Sequence, residues 1–335
     1  MNNIAKDVWS NPELGLKENY SADLLSTKLR KEGFSIESGV GDMDTAFIAE
    51  YGSGSPIIGI LGEYDALPGL SQKVKAKPDP VNESEPGHGC GHNLLGTAGL
   101  GASLAVKQLI EEGMIDGGVR YYGCPAEETL VGKVFMARSG AFEDLDACLT
   151  WHPGGINATW TAKSLAMNSV RFVFSGKSAH AAASPSQGRS ALDAVELMNT
   201  GVEHMREHIS DKARIHYSIP EGGEEPNVVP EKAIVWYYIR AQNRDGVDFL
   251  YDWIKDIADA AANMARVEHE IQFLSGCYDT LANMTLADLL LDNMKQIGGP
   301  NFSSSEVDFA RDIEKTFNPG QKDALTENGI PKELA

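Results

Sequence analysis

The chain has 335 residues, enough for two domains that each bury a core, and 42% of them are hydrophobic, as in globular proteins. Its formal net charge of -19 repels phosphate backbones and anionic lipid, so nucleic acid and membrane surfaces are not expected as partners. The sequence has no apolar run of about 18 residues, no recognisable secretory signal and four widely spaced cysteines. We therefore expect a reduced, cytoplasmic protein.

The first half of the chain alternates predicted helices with predicted strands. Leu24, Leu25 and Leu29 are spaced as on one face of a helix, and short apolar runs bounded by Gly and Pro indicate strands. Such alternation is typical of an α/β domain whose functional site lies where strands end. Cys124 and Cys148 lie in strand-like runs and are predicted to be core residues. The predicted helices are 22–31 and 94–110, and the predicted strands are 45–51, 56–62, 119–124 and 147–151.

The second half has a different order of predicted elements. It reads strand, helix, strand, strand, helix, strand, which is the β-α-β-β-α-β order of a small ferredoxin-like domain with one open sheet face or edge. A further helix is predicted over 286–297, before a polar tail. The six elements are predicted over 169–174, 190–208, 214–219, 233–240, 246–266 and 268–274.

A Gly-rich loop at 87–91 precedes the long helix of the first half. Its glycines let the backbone turn sharply, so Cys90 and His92 can face one point. A helix N-terminus and a metal ion would both favour the thiolate of Cys90. His88 fits better as a residue that orients a ligand, and a turn with an incidental thiol remains the alternative for the whole loop.

Two further segments supply ligand types. Glu127 and Glu128 follow a predicted strand, and neighbouring carboxylates point in different directions, so one can bind a metal while the other takes a proton from water. His152 ends the next strand in a Trp-His-Pro setting. A thiolate, two imidazoles and a carboxylate suit a divalent transition ion, so the set predicts metal-assisted hydrolysis. A solvated acidic loop and a buried structural histidine are the alternatives.

Other residues have both a functional and an ordinary interpretation. Glu63 and Asp65 follow a buried strand, where either can orient a metal ligand or its water, or simply form a turn. In the second half, His180 lies in a Gly/Ala-rich loop and Asn227 in a turn bounded by prolines. Arg240 ends a strand, where an acidic protein with an anionic substrate needs a local cation.

These segments together resemble the M20 family of metallopeptidases, and within it the amidohydrolase branch that includes aminobenzoyl-glutamate hydrolases. The run 63–72 looks most like the B-type subunits of those hydrolases. The resemblance covers nearly the whole chain. The matching segments are 59–68, 87–92, 125–128, 176–180 and 227–230.

The resemblance implies a zinc-peptidase-like α/β catalytic domain over 1–165 and an inserted ferredoxin-like lid or dimerisation domain over 166–277. It implies a return to the catalytic domain over 278–335. It also implies two divalent ions, zinc or manganese, with Glu127 as the general base. His180 would reach a partner subunit's site, and Asn227 and Arg240 would hold the substrate's carboxylate or the oxyanion. The implied metal ligands are Cys90, His92, Glu128 and His152.

One departure from the family affects the metal pair. The family completes its site with a histidine near the C-terminus, whereas the last histidine here is His269, inside the inserted domain. We therefore expect one ion to bind more weakly and one sheet edge to lie open, as in a piece of a longer protein or a shortened homologue.

The sequence therefore predicts a metal-dependent hydrolase that cleaves the amide of N-acyl or N-aroyl amino acids, with an aminobenzoyl-glutamate-like substrate favoured. The expected partners are this small molecule, a second copy of the chain bound through the lid domain, or a different subunit. One alternative is a binding or assembly subunit with impaired catalysis. Another is a cysteine-nucleophile amidase that uses Cys90 with His92, although residues two apart rarely meet in that geometry.

Overall fold

The computed structural model describes residues 1–321, which form two compact units. Unit 1 comprises Met1–Thr159 together with the chain from Asp288 onward, and unit 2 comprises Trp160–Ala287. Residues 322–335, the last part of the expected third segment, lie outside the described residues. Each unit has its own sheet and its own hydrophobic core.

Unit 1 is built on a five-stranded sheet with the order β1-β2-β4-β3-β5. Strand β2 is antiparallel to both of its neighbours, β1 and β4, whereas β3 runs parallel to both of its neighbours, β4 and β5. The carboxyl ends of three parallel strands therefore lie at the same edge of the sheet. The strands are β1 Ser35–Ser38, β2 Phe47–Ser53, β3 Ile57–Glu63, β4 Gly117–Cys124 and β5 Ala147–Leu149.

The longest helix of unit 1 packs directly on the middle of this sheet. A Cβ atom at Gly96 would lie 2.5 Å from the carbonyl oxygen of Glu63, so only glycine allows this approach. The close packing brings the start of the helix, His92, to the carboxyl end of β3. The helices are α1 Asn2–Ser10, α2 Asn19–Lys31, α3 His92–Glu111 and α4 Gly132–Arg138.

Unit 2 has a four-stranded antiparallel sheet with the order β7-β8-β6-β9, and two helices pack on one of its faces. Phe172, Phe174 and Val235 are fully buried in the core between the sheet and the helices. The β-α-β-β-α-β order expected from the sequence is confirmed. The elements are β6 Ala166–Ser175, α5 Ala191–Met205, β7 Arg214–Glu221, β8 Lys232–Ala241, α6 Arg244–Ala265 and β9 Glu268–Cys277.

Some local features differ from the sequence-based expectations. Helices α1 and α4 and strand β1 were not predicted. Cys148 is exposed, so its prediction as a core residue is wrong, whereas Cys124 is buried. The reason is that Cys148 lies in the short edge strand of the sheet. Two more helices are present: α7 Met284–Ile297 begins at the end of unit 2, and α8 Ser304–Glu314 belongs to unit 1. Within residues 1–321, no helix has the length and apolar character to cross a membrane.

The core of unit 2 generates a stability prediction. Truncation of Phe172 to alanine removes a fully buried ring, and we expect it to lower the opening free energy of unit 2 by about 3–5 kcal/mol. Hydrogen exchange of the β6 and β8 amides measures this quantity for unit 2 alone. The matched control is Phe273→Ala, because Phe273 is 54% exposed. Equal losses in both variants would contradict the described core.

Candidate metal centre

Glycines in the 87–91 loop allow two loops to meet. Gly91 precedes α3 in the left-handed region, with φ of 80°, and a Cβ atom there would lie 2.9 Å from the ring of Pro153. A Cβ atom at Gly87 would lie 1.9 Å from the carbonyl oxygen of Leu70. The contact with Pro153 brings Cys90 close to His152.

Three of the predicted ligands form one cluster at the carboxyl end of the parallel strands. The Sγ atom of Cys90 lies 3.3 Å from Nε2 of His152. The rings of His92 and His152 are edge to face, with their centroids 5.6 Å apart. Ligand atoms of these three residues all lie within 4.8 Å of one another, so they can bind one ion together.

His92 is held by Asp65. Its ring is fully buried, and Nδ1 lies 2.8 Å from Oδ1 of Asp65, so the imidazole donates to this carboxylate. Burial lowers the pKa of His92, but the hydrogen bond and charge of Asp65, together with the charges of Glu63 and Glu127, raise it by more. The contact leaves Nε2 facing two other carboxylates, at 3.1 Å from Glu63 and 3.7 Å from Glu127.

The same aspartate also holds the turn that follows β4. Its other oxygen, Oδ2, accepts a hydrogen bond of 2.9 Å from the backbone N–H of Glu128. Asp65 is buried, so its two contacts are fixed in one geometry. A single side chain therefore sets the distance between His92 and the two glutamates of the turn.

Glu63 forms a second group of ligand atoms with His92 and Glu127. Its Oε1 atom accepts from Nζ of Lys133 at 2.6 Å, and its side chain is almost fully buried. Sequence reasoning left Glu63 and Asp65 as alternatives, whereas the structure gives each a separate contact with His92. Sequence reasoning missed Lys133, because this lysine lies in no motif that indicates a metal site.

The two glutamates of the turn have different surroundings. Burial raises the pKa of Glu127, and the charge of Glu63 raises it further, while Lys133 partly opposes both. Glu128 lies beside Cys90. Burial first and the charge of Glu128 second raise the pKa of the Cys90 thiol to about 12. Without a bound ion, the protein therefore favours the neutral thiol of Cys90. The helix N-terminus, which was expected to favour the thiolate, does not outweigh burial and the charge of Glu128.

A bound cation fits this set of residues. Nε2 of His92 and Oε2 of Glu63 lie 3.1 Å apart but form no hydrogen bond, and both, with Oε1 of Glu128, are buried without a hydrogen-bond partner among the described residues. Buried polar atoms are rarely left unpaired, because each loses its contacts with water. The site gathers four acidic groups, a thiol and two imidazoles but only one ammonium group, so a divalent ion would satisfy both the unpaired atoms and the charge.

The remaining predicted residues lie elsewhere. His88 contacts the carbonyl oxygen of Val8 through Nε2, and burial lowers its pKa to about 4, so it joins the loop to α1. His180, Asn227 and Arg240 belong to unit 2.

Within unit 2, two of these predicted residues are neighbours. The His180 loop pairs with the Asn227 turn, since Ala181 N–H donates to the Asn227 carbonyl at 2.9 Å. Arg240 lies over the ring of Tyr238, 4.9 Å from its centroid.

The fold and this arrangement of ligand types are typical of metal-dependent hydrolases. Residues 163–265 match the peptidase dimerisation domain of the M20 family. The chain is 44% identical to the B subunit of p-aminobenzoyl-glutamate hydrolase from Escherichia coli, over 97% of this chain and 68% of that protein. It is 30% identical to the Xaa-Arg dipeptidase of Mus musculus, over 91% of this chain and 70% of that one.

A solved structure has the same fold. The aminobenzoyl-glutamate utilization protein from Klebsiella pneumoniae superposes with a TM-score of 0.70 at 19% identity, over 90% of this chain and 81% of that chain. The chain thus belongs to the M20 family of peptidases. The expected family and its α/β fold are confirmed.

The position of Asp65 between two parts of the centre generates a prediction about metal affinity. In Asp65→Asn, the amide group can accept from His92 but cannot also accept from the Glu128 N–H. We expect the affinity for zinc to fall by about 10- to 100-fold, as measured by competition with a chromophoric chelator. The control Asp23→Asn changes an exposed residue of α2 and should bind zinc as the wild type does. Equal affinity in all three proteins would contradict the role of Asp65.

Proposed function

We propose that unit 1 is the catalytic domain of a hydrolase that cleaves N-acyl or N-aroyl amino acids, with an aminobenzoyl-glutamate-like compound as the favoured substrate. The main support is the approach of Cys90, His92 and His152 to one point beside Glu127 and Glu128. The 44% identity to one subunit of a p-aminobenzoyl-glutamate hydrolase supports the substrate class.

In this proposal, the residues of the centre hold two divalent ions, zinc or manganese. The two groups of ligand atoms, one with Cys90 and His152 and one with Glu63 and Glu127, together offer more donors than one tetrahedral ion needs, which supports a pair of ions. Nε2 of His92 can bind only one of the two, because Nδ1 donates to Asp65. When bound, the ions polarise the amide carbonyl and lower the pKa of a water molecule. The proposed protein ligands are Cys90, His92, Glu128 and His152, with Glu63 as a further donor.

Glu127 acts as the general base. Its raised pKa places proton uptake closer to neutral pH than for an exposed glutamate, which suits a group that must take and release a proton. The carboxylate takes a proton from the attacking water, whose oxygen bonds to the amide carbon. The C–N bond then breaks, and Glu127 delivers the proton to the leaving amine. Glu63 and Lys133 set the local charge around this group.

Unit 2 is the lid and dimerisation domain in this proposal. Its match to a peptidase dimerisation domain supports a homodimer. A different, A-type subunit is a second candidate partner, because the relative is itself named as the B subunit of its enzyme. His180 of a second copy would stabilise the oxyanion, and Asn227 and Arg240 would hold the substrate's carboxylate. Oxidation would destroy the Cys90 ligand, which favours a reducing compartment such as the cytoplasm.

A thiol mechanism is the second candidate, and one observation favours it. Cys90 lies within 3.3 Å of His152, which is the geometry of a nucleophile and its base. His92 does not serve as this base, because its Nδ1 faces Asp65. Against the mechanism, the pKa of the thiol is raised to about 12, so the nucleophilic thiolate is scarce at neutral pH. A binding or assembly subunit is the third candidate.

The role of Glu127 generates a kinetic prediction. Glu127→Gln keeps the size of the side chain and removes the base, so kcat for aminobenzoyl-glutamate should fall by about 10²- to 10⁴-fold. Bound metal should stay near the wild-type content. The control Glu112→Gln alters an exposed glutamate after the end of α3 and should leave kcat unchanged.

Metal content separates the three candidates in the same experiment. Chelation should abolish hydrolysis, and zinc or manganese should restore it. Hydrolysis that persists in the chelator would support the thiol mechanism instead. A chain with almost no bound metal and no hydrolysis would support the non-catalytic binding role. Unchanged kcat in Glu127→Gln would contradict the assigned base.

A further inference from the structure

A second buried carboxylate, Glu18, lies outside the centre and contacts the catalytic turn. Its side chain is fully buried, and Oε1 accepts a hydrogen bond of 2.7 Å from the backbone N–H of Ala126. Oε2 accepts from the hydroxyl of Thr45 at 3.0 Å. Both partners are neutral, so this is not an ion pair. A buried carboxylate is unfavourable unless its hydrogen bonds are satisfied, so these contacts account for its position.

The side chain of Glu18 is available for this contact because another residue caps the neighbouring helix. Glu18 is at the N-cap position of α2, where a capping side chain would accept from the first N–H groups of the helix. Here the carboxylate of Glu13 accepts from Tyr20 N–H at 2.9 Å and from Ser21 N–H at 3.0 Å. The helix N-terminus is therefore satisfied, and Glu18 reaches Ala126 instead.

The turn that Glu18 contacts has an unusual backbone. Ala126 has φ of 53° and ψ of 41°, a left-handed conformation that residues with a Cβ atom adopt uncommonly. Gly15 packs on the same residue, since a Cβ atom there would lie 3.0 Å from Cα of Ala126. The segment before α2 thus supports the turn by packing as well as by the hydrogen bond of Glu18.

Glu127 lies between two such supports. The preceding N–H, of Ala126, is held by Glu18, and the following N–H, of Glu128, is held by Asp65. Glu18 is also connected to the end of β3 through Thr45. The Thr45 hydroxyl donates to Glu18, and its carbonyl accepts from the Tyr64 hydroxyl at 2.5 Å. Both carboxylates that fix the turn are therefore tied to the same strand end.

We propose that Glu18 is a positioning residue for hydrolysis, which holds the Ala126 N–H and thereby directs the Glu127 carboxylate toward the water. This role rests on the proposed function, since it assumes that Glu127 is the base. Small displacements of a catalytic group are costly, because the reacting atoms must lie within a narrow range of distance and angle. Glu18 touches neither substrate nor metal and acts only through the turn.

Two substitutions at Glu18 test this role. Glu18→Met keeps the length of the side chain but cannot accept the Ala126 N–H, so kcat should fall by about 10- to 100-fold. KM should change by less than about twofold, because ground-state binding is retained. Glu18→Gln can still accept from Ala126 through its oxygen and donate to the Thr45 hydroxyl through its amide. It should therefore restore kcat to near the wild-type value.

A readout that does not require activity accompanies the kinetics. Hydrogen exchange of the Ala126–Thr129 amides in the metal-free protein should be faster in Glu18→Met and near wild type in Glu18→Gln. The control Asp23→Asn removes an exposed carboxylate of α2 that does not contact the turn, so it should leave kcat and the turn amides unchanged. If Glu18→Met does not fold, Thr45→Val removes the support of Oε2 and should show the same changes, smaller in size.

The outcomes separate the role of Glu18 from the proposed function. Unchanged kcat and unchanged exchange in Glu18→Met would overturn the positioning role. Equal losses in the Met and Gln variants would overturn it too, because the charge and not the accepted hydrogen bond would then matter. If the wild type hydrolyses no acylated amino acid, the proposed function fails, and the exchange of the turn amides alone decides whether Glu18 holds the turn.

Discussion

The metal centre depends on one buried carboxylate, Asp65, which accepts from the His92 imidazole with one oxygen and from the Glu128 N–H with the other. The two partners come from different segments, the first residue of α3 and the turn after β4. The close packing of Gly96 on the carbonyl of Glu63 brings the start of α3 to the strand end. The geometry of the centre is therefore set by β3 and the two residues after it.

Charge explains why this arrangement calls for a cation. The chain has a net charge of -19, and the centre gathers four acidic side chains with a single lysine, which pairs with Glu63. Such a cluster is unfavourable in a buried site unless a positive ion balances it. The raised pKa of Cys90 has the same cause, because burial and the charge of Glu128 disfavour a thiolate that no ion contacts. A divalent ion reverses both effects, as coordinated thiols are deprotonated.

Much of the fold and part of the site could be predicted from the sequence, because both follow local patterns. Alternating apolar runs indicated the strands, and the end of a parallel strand is where Glu127 and His152 were expected. Glu18 and Lys133 could not be found, since each acts through a contact with a residue far along the chain. Cys148 was misjudged because an apolar run does not reveal whether its strand lies at the edge of a sheet.

The central claim is that sulfur and imidazole ligands from separate loops bind one ion, and X-ray absorption of the zinc-loaded protein tests it most directly. The account predicts a sulfur ligand at about 2.3 Å from zinc in the wild type and its loss in Cys90→Ser. A zinc environment of nitrogen and oxygen alone in the wild type would contradict the account.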